Sequence, residues 1–131
     1  MIERGWLGLA GLSGAVAVAI EALGRHWVGA DPHRVELAAT AARYALLHAP
    51  ALLAVCALMR HARLGWAARF IRLAGWCFAA GLVLFSGSLY WLAAGLPPVV
   101  APLTPVGGTA FIAGWAALVL AALAPRRGSE D

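Results

Sequence analysis

Eight polar side chains in this otherwise apolar chain have the types that could do chemistry: Glu21, Arg43, Tyr44, His48, Ser86, Ser88, Tyr90 and Thr104. Their spacing sets what that chemistry could be. Thr40, Arg43, Tyr44 and His48 fall within an arc of about 140° on a helix of 3.6 residues per turn. Ser86 and Tyr90 stand four apart and share a helical face. Free histidine titrates near neutrality, so His48 with Glu21 could handle protons; the plainer reading is a histidine hydrogen-bonded to a neighbouring helix. Haem ligation lacks an evident second axial ligand, because His26 and His33 lie in a connection and His61 lies at the other end. A nucleophilic serine at Ser86 or Ser88 needs a base within reach. His48 is the sole candidate and brings no oxyanion donors. Cys56 and Cys77 sit in apolar runs without a CxxC partner or zinc spacing and read as packing residues. No dinucleotide fingerprint, phosphate loop or metal motif is present. The residues therefore supply no catalytic constellation and imply no metal and no cofactor.

The elements that must position these groups are membrane helices. Of 131 residues, 63% are hydrophobic and 12% charged, against about 45–50% and about 25% in soluble domains. About 20 apolar residues cross the hydrocarbon. Four stretches qualify: residues 6–24, 36–59, 73–96 and 106–123. They predict one all-α domain over residues 1–131, a four-transmembrane-helix bundle running up-down-up-down. The first run is longer than the apolar core of a signal peptide, so cleavage after Ala17 or Ala19 is disfavoured.

The net charge of +4 is carried by ten arginines and no lysine. They cluster at the ends of apolar runs, which points to lipid headgroups rather than nucleic acid. Arg4, Arg60, Arg63, Arg69, Arg72, Arg126 and Arg127 share one side, against Arg25 and Arg34 on the other. That bias places the N and C termini in the cytoplasm. The third connection, Gly95 to Pro105, is uncharged and holds Pro97, Pro98, Pro102 and Pro105, which cannot continue a helix. Trp6 and Trp66 are expected at the inner interface, Trp27 and Trp91 at the outer one. The last residues, Arg126 to Asp131, read as a short frayed end.

Lipid offers no hydrogen bonds, so the polar groups must find partners inside. On the first span Ala10, Ser13, Gly14, Ala17, Glu21 and Gly24 share one small, polar face suited to close helix packing. Gly8, Gly11 and Gly14 likewise read as packing residues. On the second span the polar arc is expected to point inward. The arc of Ala41, Ala42, Ala45, Leu46, Ala49 and Leu53 is left to meet lipid or another helix. Pro50 removes the backbone bond to Leu46 and favours a kink. Glu21 and Arg43 lie at similar depth on consecutive antiparallel helices and are expected to pair. The pair reads either as a staple that fixes register or as a site for a headgroup or small anion. Ser86, Tyr90 and the opening of the fourth span bring all four helices' polar residues to the outer half.

The chain resembles the YgdD-like small inner-membrane proteins, the family called domain of unknown function 423. WLGLAGLSGA (Trp6–Ala15) is similar to the family's opening helix, and GRH (Gly24–His26) to the segment that ends it. RYALLHA (Arg43–Ala49) resembles its Arg-Tyr-x-x-x-His-Ala signature. AGWCFAAGLVLFSGSLYWL (Ala74–Leu92) and TPVGGTAFIAGW (Thr104–Trp115) resemble its most specific blocks. The resemblance implies a four-span protein of the cell inner membrane. It also implies a small residue where Glu21 stands, so that Arg43 finds another partner: His48, Tyr90 or a backbone carbonyl. The family carries no assigned reaction.

The expected role is thus a non-catalytic accessory, assembly or envelope-maintenance protein. Its partners would be membrane lipids and a larger membrane complex or a homo-oligomer. The alternative is a binder or carrier of a lipid headgroup or small solute through the outer polar cluster. No inverted repeat or broken helix pair marks a transport site.

Overall fold

The computed structural model describes residues 1–29, 31–61 and 65–123, the Arg25 side chain excepted. Arg63, Arg126, Arg127 and the expected frayed end lie outside the described residues. The first helix spans Ile2–Val28 and the second Pro32–His61, passing through Pro50 without a break. The third spans Trp66–Ala93 and widens into one π turn at Leu82–Ser86. The fourth spans Leu103–Leu123. Each is long and apolar enough to cross a membrane. Helical rise explains why they overrun the apolar runs: at about 1.5 Å per residue, a helix also traverses the headgroup layer.

The bundle is built of two hairpins. The first and second helices meet through small residues: Ala10 and Ala17 share one core with Ala42, Ala45 and Ala49. The alanine arc of the second helix thus meets another helix, because methyl-sized side chains let backbones approach closely. Trp6 joins this core. It lies buried over Gly75, where a Cβ would overlap its ring, and meets Trp76 edge-on at 5.6 Å.

The third and fourth helices interlock differently. Phe78 fills the space at Gly114, and Phe111 fills the space at Gly81. Gly107 lies against the backbone of Leu84 and Phe85. Ser88 Oγ meets Thr104 Oγ1 at 2.7 Å. These four pairs obey one antiparallel register: steps of three, four and three residues along the third helix match the same steps backwards along the fourth. That is the alternation which seats knobs in holes at a shallow crossing angle.

The turn between these helices is fixed from both sides. Gly95 takes φ 75°, a conformation glycine accepts without strain. The Trp91 indole donates to Pro97 O at 2.9 Å. From the second helix, Arg34 Nε donates to Ala93 O at 2.6 Å, and its guanidinium covers Gly95. A cation is well placed there, where the last carbonyls of a helix are unpaired.

Candidate functional site

His48 sits at the centre of the bundle, 5% exposed. Its imidazole stacks on Phe111 with ring centroids 3.6 Å apart. Nδ1 lies 2.8 Å from Tyr44 O, and the Trp115 Nε1–H donates to Nε2 at 3.2 Å. A carbonyl can only accept and an indole N–H can only donate. The ring is therefore the neutral Nδ1–H tautomer, with both nitrogens engaged. In this state it has no lone pair free for a metal and no free nitrogen to pass a proton. Tyr44 is 37% exposed and its ring packs on Phe85 at 4.5 Å.

A second polar group lies further along the third helix. The Ser88 hydroxyl donates to Phe85 O at 3.0 Å, leaving its lone pairs for the Thr104 hydroxyl. Phe85 belongs to the π turn, in which the Gly87 N–H reaches back to Leu82 O. A turn of this kind widens the helix by one residue and re-aims the remaining turns. The hydroxyls of Ser86 and Tyr90 are buried without a hydrogen-bond partner.

The eight candidates therefore do not gather into one cluster. Ser88 joins Thr104, Tyr44 and His48 share one aromatic stack, Ser86 and Tyr90 are buried without partners, and Glu21 is exposed. Arg43 stands apart. The expectation that the polar arc of the second helix points inward fails: Arg43 and Tyr44 are exposed and only His48 is buried. The reason is size, since the close helix contact is made by the alanines. Arg43 lies two turns from Glu36, and helical side chains lean toward the N-terminus. Its guanidinium can thus reach the headgroup layer along an apolar stem.

The Glu21–Arg43 pair is not formed either; both side chains are exposed. The stripe buried on the first helix runs through Trp6, Ala10, Ala17 and Gly24, with Ile20 half-buried. Glu21 stands four residues from Ala17 and three from Gly24, at the edge of that stripe, and its side chain is nevertheless exposed. Gly8, Gly11 and Gly14 do not pack within the chain, for nothing lies within 4 Å of where their Cβ atoms would stand. Among the described residues, no three His, Cys, Asp or Glu side chains gather as metal ligands. Cys56 and Cys77 are free and half-buried.

Three residues at these contacts are not singled out by sequence reasoning. Arg34 counts there only as a charge, Trp115 only as an aromatic in mid-span, and Phe111 only as part of a family block. Trp115 carries a readable signal: an indole N–H deep in a span must find an acceptor. Two grooves beside the first helix are also absent from the sequence pattern. One is apolar, about 550 Å3, and runs between Gly5, Trp6 and Leu9 and the third helix's Trp76, Ala80 and Val83. The other, about 830 Å3, opens at the arginine-rich end against the second helix.

Comparison with known proteins assigns these features to a lineage. The family model described as protein of unknown function (DUF423) matches residues 20–108. The UPF0382 inner membrane protein YgdD of Escherichia coli K12 is 35% identical over 133 aligned positions, covering 97% of this chain and 95% of its own. The UPF0382 membrane protein YwdK of Bacillus subtilis 168 is 35% identical, covering 88% of this chain and 93% of its own. The UPF0382 membrane protein SAB0533 of Staphylococcus aureus is 33% identical, covering 86% and 90%. No solved structure matches the chain. The matched region includes His48, the π turn and Thr104, and the four spanning helices agree with relatives named as membrane proteins. The chain belongs to the DUF423 family and is a multi-pass protein of the inner membrane.

Proposed function

We propose that the protein is a non-catalytic accessory or assembly component of its membrane, which works by packing against other transmembrane helices. The observation that carries this reading is the open glycine face of the first helix. Gly5, Gly8 and Gly11 have no atom within 4 Å of the point a Cβ would occupy, and 17% of the first span is buried against 44% of the third. Between membrane helices, small residues permit the close backbone approach on which association depends. The interior supports the same reading, because the imidazole of His48 is fully engaged and neither buried serine has it as a hydrogen-bond partner. The arginine bias supports termini in the cytoplasm.

A second reading, a binder of a lipid headgroup or small solute, draws on the buried Ser86 and Tyr90 hydroxyls, which have no hydrogen-bond partner. Purification in mild detergent followed by native mass spectrometry separates the two. A larger complex or homo-oligomer that is lost in the Gly8→Leu, Gly11→Leu double variant supports helix packing. A bound small molecule that is lost on Tyr90→Phe supports the second reading. An empty monomer overturns both.

A further inference from the structure

Among the grooves beside the first helix, the apolar one and the one at the arginine-rich end differ in one decisive respect. The apolar groove has no charged side chain in its lining. The groove at the arginine-rich end is lined by Arg4, Arg60 and His61 above an apolar floor that includes Leu7 and Leu53. Glu3 is the one carboxylate in that lining. Counting His61 as neutral, the lining carries one net positive charge. His61 Nδ1 is turned back to Ala57 O at 2.9 Å, so Nε2 is left for the groove. The first helix starts at Ile2 without a side-chain cap, and its first-turn amides add partial positive charge at the same end.

We infer that this groove is a binding site for an anionic phospholipid, with the phosphodiester held between Arg4 and Arg60 and an acyl chain lying along Leu7 and Leu53. The charge matches a single phosphodiester. Its mixed lining matches an amphiphile better than a free anion: an inorganic phosphate has no use for the leucine floor. The volume of about 830 Å3 exceeds what a phosphate alone would fill and admits a headgroup with the start of its chains. Basic recesses between transmembrane helices are a recurrent way to hold acidic headgroups. The arginines come from two different helices, Arg4 from the start of the first and Arg60 from the end of the second. A bound lipid would therefore clamp this hairpin at its open end. The site borders the glycine face, with Arg4 one turn from Gly8 and Leu7 one turn from Gly11, but it does not rest on the accessory reading.

The test uses the full chain in detergent, titrated with phosphatidylglycerol or phosphatidylcholine of the same acyl composition and read by native mass spectrometry. Phosphatidylglycerol should be retained about thirty-fold more tightly, the factor that two interfacial arginines supply. The Arg4→Gln, Arg60→Gln double variant should lose that preference, and the Arg4→Lys, Arg60→Lys variant should keep most of it. A charge-matched control, Arg69→Gln with Arg72→Gln, alters the same end without touching the groove and should retain it. Equal retention of the two lipids, or equal loss in both glutamine doubles, overturns the inference. So does release of bound phosphatidylglycerol by millimolar inorganic phosphate, which would make the site a free-anion site.

Discussion

The two hairpins solve the same packing problem by different means. The first and second helices meet alanine on alanine, a surface that is close but repetitive. The third and fourth meet aromatic on glycine, with each knob tied to one socket and a hydroxyl pair closing the row. A repetitive surface sets distance; a keyed surface also sets register. In water both pairs would be driven by burial, but lipid is as apolar as leucine and gives no such drive. Shape and a few polar bonds must then decide, and they are concentrated in the second hairpin and its contact with His48.

The sharpest way to break this contrast is at the sockets. Gly107→Ala places a methyl against the backbone of Phe85, which cannot rotate away. A loss of about 3 kcal/mol, the upper part of the overpacking range, is expected in detergent unfolding. Gly8→Ala, facing open space, should stay within about 0.5 kcal/mol. Equal costs would mean that the keyed register is not what holds the second hairpin.

Next comes the contact between the hairpins. His48→Phe keeps a ring on Phe111 but strands the Trp115 N–H, with an expected cost of about 1–2 kcal/mol. Trp115→Phe leaves the buried His48 Nε2 without its donor and should cost a similar amount, about 1–2 kcal/mol. A much smaller cost for Trp115→Phe in unfolding experiments would shift the weight from the hydrogen bond to the stack. The smallest effect is at the turn. Arg34→Gln withdraws a cation from the last carbonyls of the third helix and should cost about 0.5 kcal/mol. Exchange of the amides around Ala93 and Gly95 should rise more than elsewhere.

The helices are legible in the sequence because the bilayer allows so few answers: an apolar run of about 20 residues has to span it. The glycine–aromatic key is written in the spacing of Gly107, Phe111 and Gly114 and answered by the same steps at Phe78, Gly81, Phe85 and Ser88, yet the π turn that carries part of that row is not written there. That turn has no compositional mark, because Leu82–Ser86 reads like any apolar helix. The sense of the second helix's polar arc is not legible. Polarity favours the inside for Arg43 and Tyr44, while side-chain size favours alanine there, and near a headgroup layer a long arginine can satisfy both. Glu21 lies at the edge of the stripe of Ala17 and Gly24, where spacing alone does not decide between burial and exposure.

The clasp made by Arg34 also says something about time. A chain is synthesised from its N-terminus, so the second helix exists before residue 93 has been added. Until then Arg34 has no carbonyl to bind and must wait in the headgroup layer as an ordinary hydrated charge. Only when the third helix has crossed and its last turn arrives can the bond to Ala93 form. Gly95, lying under the guanidinium, then starts the turn into the fourth helix. The bond thus fastens the early half of the chain to the late half only after the third crossing is complete.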